Sequence, residues 1–125
     1  MGRVIHFEIH ASDLDRAERF YRDVFEWEVQ KFDGPVDYRL LNTGPNTETG
    51  IDGALVERRG TDGDGEAVIA YVCTVQVDDI EATEQKVKDS GGEQVVARQE
   101  IPDVGQLSYF KDTEGNIFGA MQPAS

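Results

Sequence analysis

Apolar and polar residues alternate from Val4 to His10, with Ile5, Phe7 and Ile9 on one side and His6, Glu8 and His10 on the other. That period of two predicts a strand with one apolar face and an unusually polar opposite face. The period then changes. Leu14, Ala17, Tyr21, Val24 and Phe25 recur at helical spacing, and Ser12 or Asp13 is placed to cap the helix they form. Three short strands are predicted after it, over residues 27–32, 36–42 and 51–57, separated by Asp33-Gly34-Pro35 and by a loop over 43–49. The order is βαβββ.

The same order then restarts. A strand over 68–77 leads to a helix capped by Asp78 or Asp79 and ended at Gly91-Gly92, with strands over 94–100, 106–110 and 117–122. Gly115 in the polar turn before the last strand is suited to a positive φ. Residues 13–23 lie over 79–89 at an offset of 79 − 13 = 66, and at that offset Gly50, Ile51, Gly53, Ala54 and Leu55 fall on Asn116, Ile117, Gly119, Ala120 and Met121. The chain reads as a duplicated module within one domain, 1–125: module one roughly 1–58, a glycine- and aspartate-rich linker roughly 59–66, module two roughly 67–125. Halves of this size lie near the lower limit for a self-sufficient core, so they are expected to share surface with each other or with a second subunit.

Charge narrows the partners. With 25 acidic and 12 basic residues the formal net charge is −13, which argues against nucleic acid and anionic membranes as partners. Only Lys31, Lys86, Lys88 and Lys111 are lysines, and an acidic, lysine-poor surface resembles those of proteins from halophilic archaea. No apolar run is long enough to span a bilayer and no apolar signal region opens the chain, so a soluble, cytoplasmic protein is expected. The single cysteine, Cys73, lies in an apolar run and is expected to be a buried, inert thiol.

The opening H-F-E-I-x-x-x-D-L-x-R-A-x-x-F-Y, the restart V-D-D-I-E-A and the closing D-x-E-G-N-I-F-G together resemble the vicinal oxygen chelate superfamily. That superfamily includes glyoxalase I, extradiol dioxygenases, fosfomycin-resistance thiol transferases, methylmalonyl-CoA epimerase and bleomycin-binding proteins. The resemblance implies an α+β fold in which two paired βαβββ modules form a cupped mixed sheet, and it implies a homodimer. Fold alone does not set activity.

Metal-dependent members draw carboxylate and imidazole ligands from the first and last strands of each module. His6 occupies the first such position, and 6 + 66 = 72 places Val72 at its partner. Gly53 matches the last-strand position, and 53 + 66 = 119 gives Gly119. A divalent ion needs about three or four N, O or S donors, which valine and glycine do not supply. Asp52 is assigned to the opposite side of its strand. The expectation is therefore no metal and no cofactor, with an unusual site from His6, Glu8 and either Glu57 or His10 as the exception.

What remains is a mostly apolar cavity with Val72, Thr74, Gly53, Leu55, Gly119 and Met121 as ligand-binding candidates, the two glycines leaving room for a small organic ligand. His6 and Glu8, two residues apart on one strand face, are the catalytic candidates, since a histidine beside a carboxylate makes a general base. A purely structural role for the pair is the competing reading. His10, at the strand end, is expected in solvent. Tyr38, Arg39 and Tyr109 have no facing fixed by pattern, and Trp27 reads as a core or interface anchor. The favoured function is small-molecule binding without the usual metal centre, with a metal-independent isomerase or lyase reaction in view. The alternative is a divalent-metal-dependent glyoxalase-like lyase or extradiol-type dioxygenase.

Overall fold

The computed structural model describes residues 2–32, 34–58 and 68–125. The predicted linker, 59–66, lies outside them, as does Asp33. Two compact units emerge, an N-terminal one over His6–Tyr71 and a C-terminal one over Val72–Ser125 that also takes in the residues up to Ile5. Both are α+β, and both follow the order βαβββ.

In the N-terminal unit, β1 (Arg3–Ala11) leads into α1 (Leu14–Phe25), followed by β2 (Glu28–Lys31), β3 (Tyr38–Asn42) and β4 (Gly53–Glu57). The sheet is mixed: β2, β3 and β4 run antiparallel in turn, and β4 pairs parallel with β1. Asp13 is the cap, extended at φ −134°, its carboxylate accepting from the Arg16 N–H at 3.0 Å. Glu26 ends the helix in the left-handed region, φ 59°.

The core of this unit lies between α1 and one sheet face. Ile9, Leu14, Leu41 and Leu55 are buried there, with Phe7, Ala17, Tyr21, Trp27 and Val29 packed around them. Arg39 shares that face and is 4% exposed, held by Asp37 at 2.9 Å, Asp15 at 2.8 Å and Glu18 at 3.2 Å. Val24 and Phe25, expected on the packed stripe of α1, are instead about half exposed, at 53% and 54%.

The C-terminal unit repeats the plan with β5 (Tyr71–Gln76), α2 (Ile80–Asp89), β6 (Glu93–Ile101), β7 (Gly105–Lys111) and β8 (Ile117–Pro123). Here β5 pairs parallel with β8, which pairs antiparallel with β7, and β7 with β6. Asp79 caps α2 as Asp13 caps α1, accepting from the Ala82 N–H at 3.1 Å. Gly91 and Gly115 take φ of 93° and 83°, a backbone conformation that an L side chain adopts only with strain. The Asp112 carboxylate accepts from the Asn116 side-chain amide at 3.0 Å and from the Asn116 and Glu114 backbone N–H groups at 2.9 and 2.8 Å, and these bonds, the side-chain one first, hold its pKa below the usual carboxylate range.

Cys73 is exposed, not buried. Residues 71–76 alternate instead of running apolar throughout: Val72 and Thr74 are buried while Tyr71 and Cys73 are exposed. No helix among the described residues is long and apolar enough to cross a membrane.

Candidate functional site

Strand alternation settles which groups meet. Phe7 pairs with Gly53 and Ile9 with Leu55, all on the α1 side, so His6, Glu8 and His10 project from the other side. Neighbouring strands share faces, which adds Ala54 and Val56 of β4, and Tyr38 and Leu40 of β3, to the His6 side.

On that side Tyr38, whose facing the sequence left open, links the two catalytic candidates. His6 Nε2 lies 3.0 Å from the Tyr38 hydroxyl, and that hydroxyl also hydrogen-bonds Glu8. Glu8 is fully buried, and its carboxylate lies 4.0 Å from Nε2 of His10. His10 is 3% exposed, which corrects the expectation of a solvent-facing side chain: the strand continues to Ala11, so His10 is not at a free end.

Electrostatics sets the protonation of two members of this group, His6 and Tyr38. Burial holds the His6 pKa below 6.5, partly opposed by the Asp52 carboxylate, so the imidazole is neutral at pH 7. Burial first, and then the charge and hydrogen bond of Glu8, push Tyr38 far above its ordinary value, so it stays a phenol. A phenol has one proton to give. Donated to the Glu8 carboxylate, it leaves the Tyr38 oxygen to accept from His6 Nε2–H, and His6 Nδ1 becomes the basic nitrogen of the ring.

A cavity of about 260 Å³ opens at His6, lined also by Glu28, Gln30, Leu40, Asn42 and Asp52. Asp52 therefore shares the His6 side, contrary to the sequence assignment. The cause is a register change between modules: Glu8 pairs with Ala54 where Thr74 pairs with Gly119, so the last strands are related by 119 − 54 = 65, not 66. One residue of shift reverses every side chain of β4.

The same shift corrects two ligand-binding candidates. Leu55 is fully buried in the α1-side core. Gly53 borders the His6 cavity through its backbone only, since a Cβ there would lie 2.6 Å from the Phe7 ring. The space at Gly53 holds Phe7 and is not vacant. The C-terminal candidates fall as expected on one face. Ser108 bonds Gln94, which bonds Glu84 of α2, so Ser108 and its neighbour Ala120 face α2. By alternation Thr74, Gly119 and Met121 face away from it, and Val72 with them. A Cβ on Gly119 would meet Thr74, Tyr109 and Leu107 at 3.5–3.7 Å, ordinary contact distances. A larger depression of about 490 Å³, lined in part by Arg3, Gln76, Asp79 and Lys86, contains none of the candidates.

The donors do not fit the divalent ion that the superfamily's metalloenzymes hold. Among the described residues no group of three or more His, Cys, Asp or Glu side chains is placed to bind a metal, and Nε2 of His6 is engaged with Tyr38.

Comparison with known proteins agrees with this fold. Residues 3–44 match the family described as bleomycin resistance protein-like N-terminal. A glyoxylase-like domain-containing protein of Didymella fabae is 31% identical over 118 residues, covering 92% of this chain and 89% of the relative. A probable lactoylglutathione lyase of Vibrio parahaemolyticus is 27% identical over 129 residues, covering 97% and 91%. The chain belongs to the glyoxalase-like proteins of the vicinal oxygen chelate superfamily. Among solved structures, a hypothetical protein from Bacillus halodurans shares the fold at TM-score 0.69 and 15% identity, covering 99% of this chain and 96% of that one. Methylmalonyl-CoA epimerase from Mycobacterium tuberculosis does so at TM-score 0.64 and 18% identity, covering 98% and 88%.

Proposed function

We propose that this protein binds a small organic carbon acid at the His6 cavity and moves a proton on it without a metal, as an isomerase or lyase. The observation that carries this reading is the His6–Tyr38–Glu8 chain: a neutral imidazole at a cavity, its Nε2 at 3.0 Å from a phenol bonded to a buried carboxylate. His6 Nδ1 takes a proton from a carbon next to a carbonyl, and the imidazolium formed is stabilised through Tyr38 by the Glu8 charge. In an isomerase reaction the proton then returns to the same or a neighbouring atom; in a lyase reaction the carbanion's electron pair expels the group on the neighbouring carbon and the proton passes from His6 to that departing group, so either step balances without a co-reactant. Relatives named as a lyase and an epimerase support an enzyme of small molecules over a purely structural protein. The cavity, at about 260 Å³, suits a metabolite of a few carbons.

The test is deuterium wash-in. Chelator-treated protein in D₂O is incubated with a panel of 2-oxoaldehydes, 2-hydroxyaldehydes and 3-oxo acids, and exchange at the acidic carbon is followed by proton NMR. Exchange above background that is lost in His6→Ala and reduced in Glu8→Gln is the expected result. Exchange that survives His6→Ala, or that appears only when Zn²⁺, Ni²⁺, Mn²⁺ or Fe²⁺ is restored, overturns it. So does the absence of exchange with every compound when calorimetry shows tight one-to-one binding of any of those ions.

A further inference from the structure

Besides His6, the polar side chains around the His6 cavity are those of Glu28, Gln30, Asn42 and Asp52, two carboxylates and two amides with no cation among them. The basic residues of β2, β3 and β4 are Lys31 and Arg39, which pair with each other across the strands. Arg39 lies on the α1 side, and so therefore does Lys31, with Asp37 at 2.9 Å from the first and 3.9 Å from the second. The chain's formal net charge of −13 adds to the negative field. A ligand that carries a carboxylate or a phosphate is repelled here.

Hydrogen bonding selects further. Asn42 Oδ1 accepts from the Gly44 N–H at 3.1 Å, which leaves the Asn42 amide N–H groups to donate. The Asp52 carboxylate is oriented by the Thr43 N–H at 2.9 Å, and when ionised it only accepts. Glu28 pairs with Asn42 across β2 and β3, so a second acceptor stands beside the amide donor. A hydroxyl group answers both, because it donates to a carboxylate and accepts from an amide at once. An ammonium group has nothing to accept with, and an ionised carboxylate has nothing to donate. A cation also works against the proton transfer, since its charge opposes formation of the His6 imidazolium.

We infer that the His6 cavity takes an uncharged polyhydroxy aldehyde or ketone, the chemistry of a short sugar, with its hydroxyls held between the carboxylates of Glu28 and Asp52 and the amide of Asn42. The inference rests on the proton-transfer reading for the place of the site and adds the class of compound. Conjugates of glutathione or coenzyme A, which carry carboxylates or phosphates, are rejected by the same walls.

Two readouts on the same samples test it: deuterium exchange at the acidic carbon, and broadening of the ligand's proton resonances on binding. The probes are dihydroxyacetone, dihydroxyacetone phosphate and the analogue in which an ammonium group replaces one hydroxyl of dihydroxyacetone. Relative to its rate without protein, dihydroxyacetone is expected to exchange roughly tenfold faster than either charged probe. Glu28→Lys is expected to bring the phosphate to within about threefold of dihydroxyacetone, with the melting temperature unchanged because Glu28 is exposed. Asn42→Asp keeps an acceptor for the Gly44 N–H but removes the donor, and is expected to weaken the response to dihydroxyacetone roughly tenfold. An equal or stronger wild-type response to the phosphate or the amine, or none to dihydroxyacetone by either readout, overturns the inference; exchange of those charged probes that is lost in His6→Ala would show that the proton transfer stands without it. Broadening of dihydroxyacetone alone, with no exchange, would do the reverse, keeping the ligand class and removing the reaction.

Discussion

Strands β1 and β5 hold the same place in their modules, yet one polar row is His6, Glu8 and His10 while the other is Val72, Thr74 and Gln76. On β1 the row carries a buried carboxylate and a phenol bridge from the neighbouring strand. On β5 the equivalent of Glu8 is Thr74, whose buried hydroxyl has no hydrogen-bond partner among the described residues. Duplication supplied two copies of one scaffold, and titratable groups occupy this row in the N-terminal copy alone. A buried charge needs a built network around it, and a module without that network is better served by valine and threonine.

The last strands differ in the opposite sense, and the largest expected effect tests that difference. Leu55 lies in the α1-side core with Ile9, Leu14 and Leu41 and is fully buried, whereas Met121, its partner at the sequence offset, faces away from α2 and is only partly buried. Leu55→Ala should therefore cost about 2–5 kcal/mol of stability, and Met121→Ala clearly less. Chemical denaturation of both variants reads this directly. Equal and small costs would put Leu55 back on the cavity side and undo the one-residue shift in β4.

Next in size is the glycine pair. A Cβ on Gly53 would strike the Phe7 ring at 2.6 Å, and that ring is confined by contacts with Trp27 and Tyr71 at centroid distances of 6.1 and 5.9 Å. Gly53→Ala should cost about 1–3 kcal/mol as an overpacked core. Gly119→Ala, with contacts of 3.5–3.7 Å, should stay close to wild type. Thermal melts of the two variants side by side separate the cases, and equal shifts would break the contrast.

These residues also show what was legible in the chain beforehand. The βαβββ order, a cap at each helix start narrowed to two adjacent residues, and the facing of His6 and Glu8 were readable because each rests on local periodicity or a local hydrogen bond. The facing of Gly53 and Leu55 was not, because it was inferred from a constant offset, and the offset drops by one between the first and last strands. Strand facing has a period of two, so an error of one residue is the worst available. The facing of Tyr38 stayed open for a different reason. Its row on β3 is joined to β1 only through β4, a long-range pairing that local pattern does not encode.

The smallest expected effect concerns the proton on His6. Its folded pKa is held below 6.5 by burial, with Asp52 acting the other way. The unfolded chain therefore takes up a proton near pH 6.5 while the folded chain still refuses it. Over that window stability falls as pH falls, and the loss stops growing once folded His6 protonates. His6→Gln should remove this part of the pH dependence, measured as the difference between two denaturation series, and leave whatever His10 contributes. Nitrogen-15 NMR at pH 7 adds the tautomer. With Tyr38 donating to Glu8, the proton of His6 sits on Nε2, and Tyr38→Phe should remove the partner that fixes it there. A wild-type proton on Nδ1 would mean that Tyr38 donates to His6 instead, that Glu8 is not the acceptor of the phenol, and that the base at the cavity is not the one assigned.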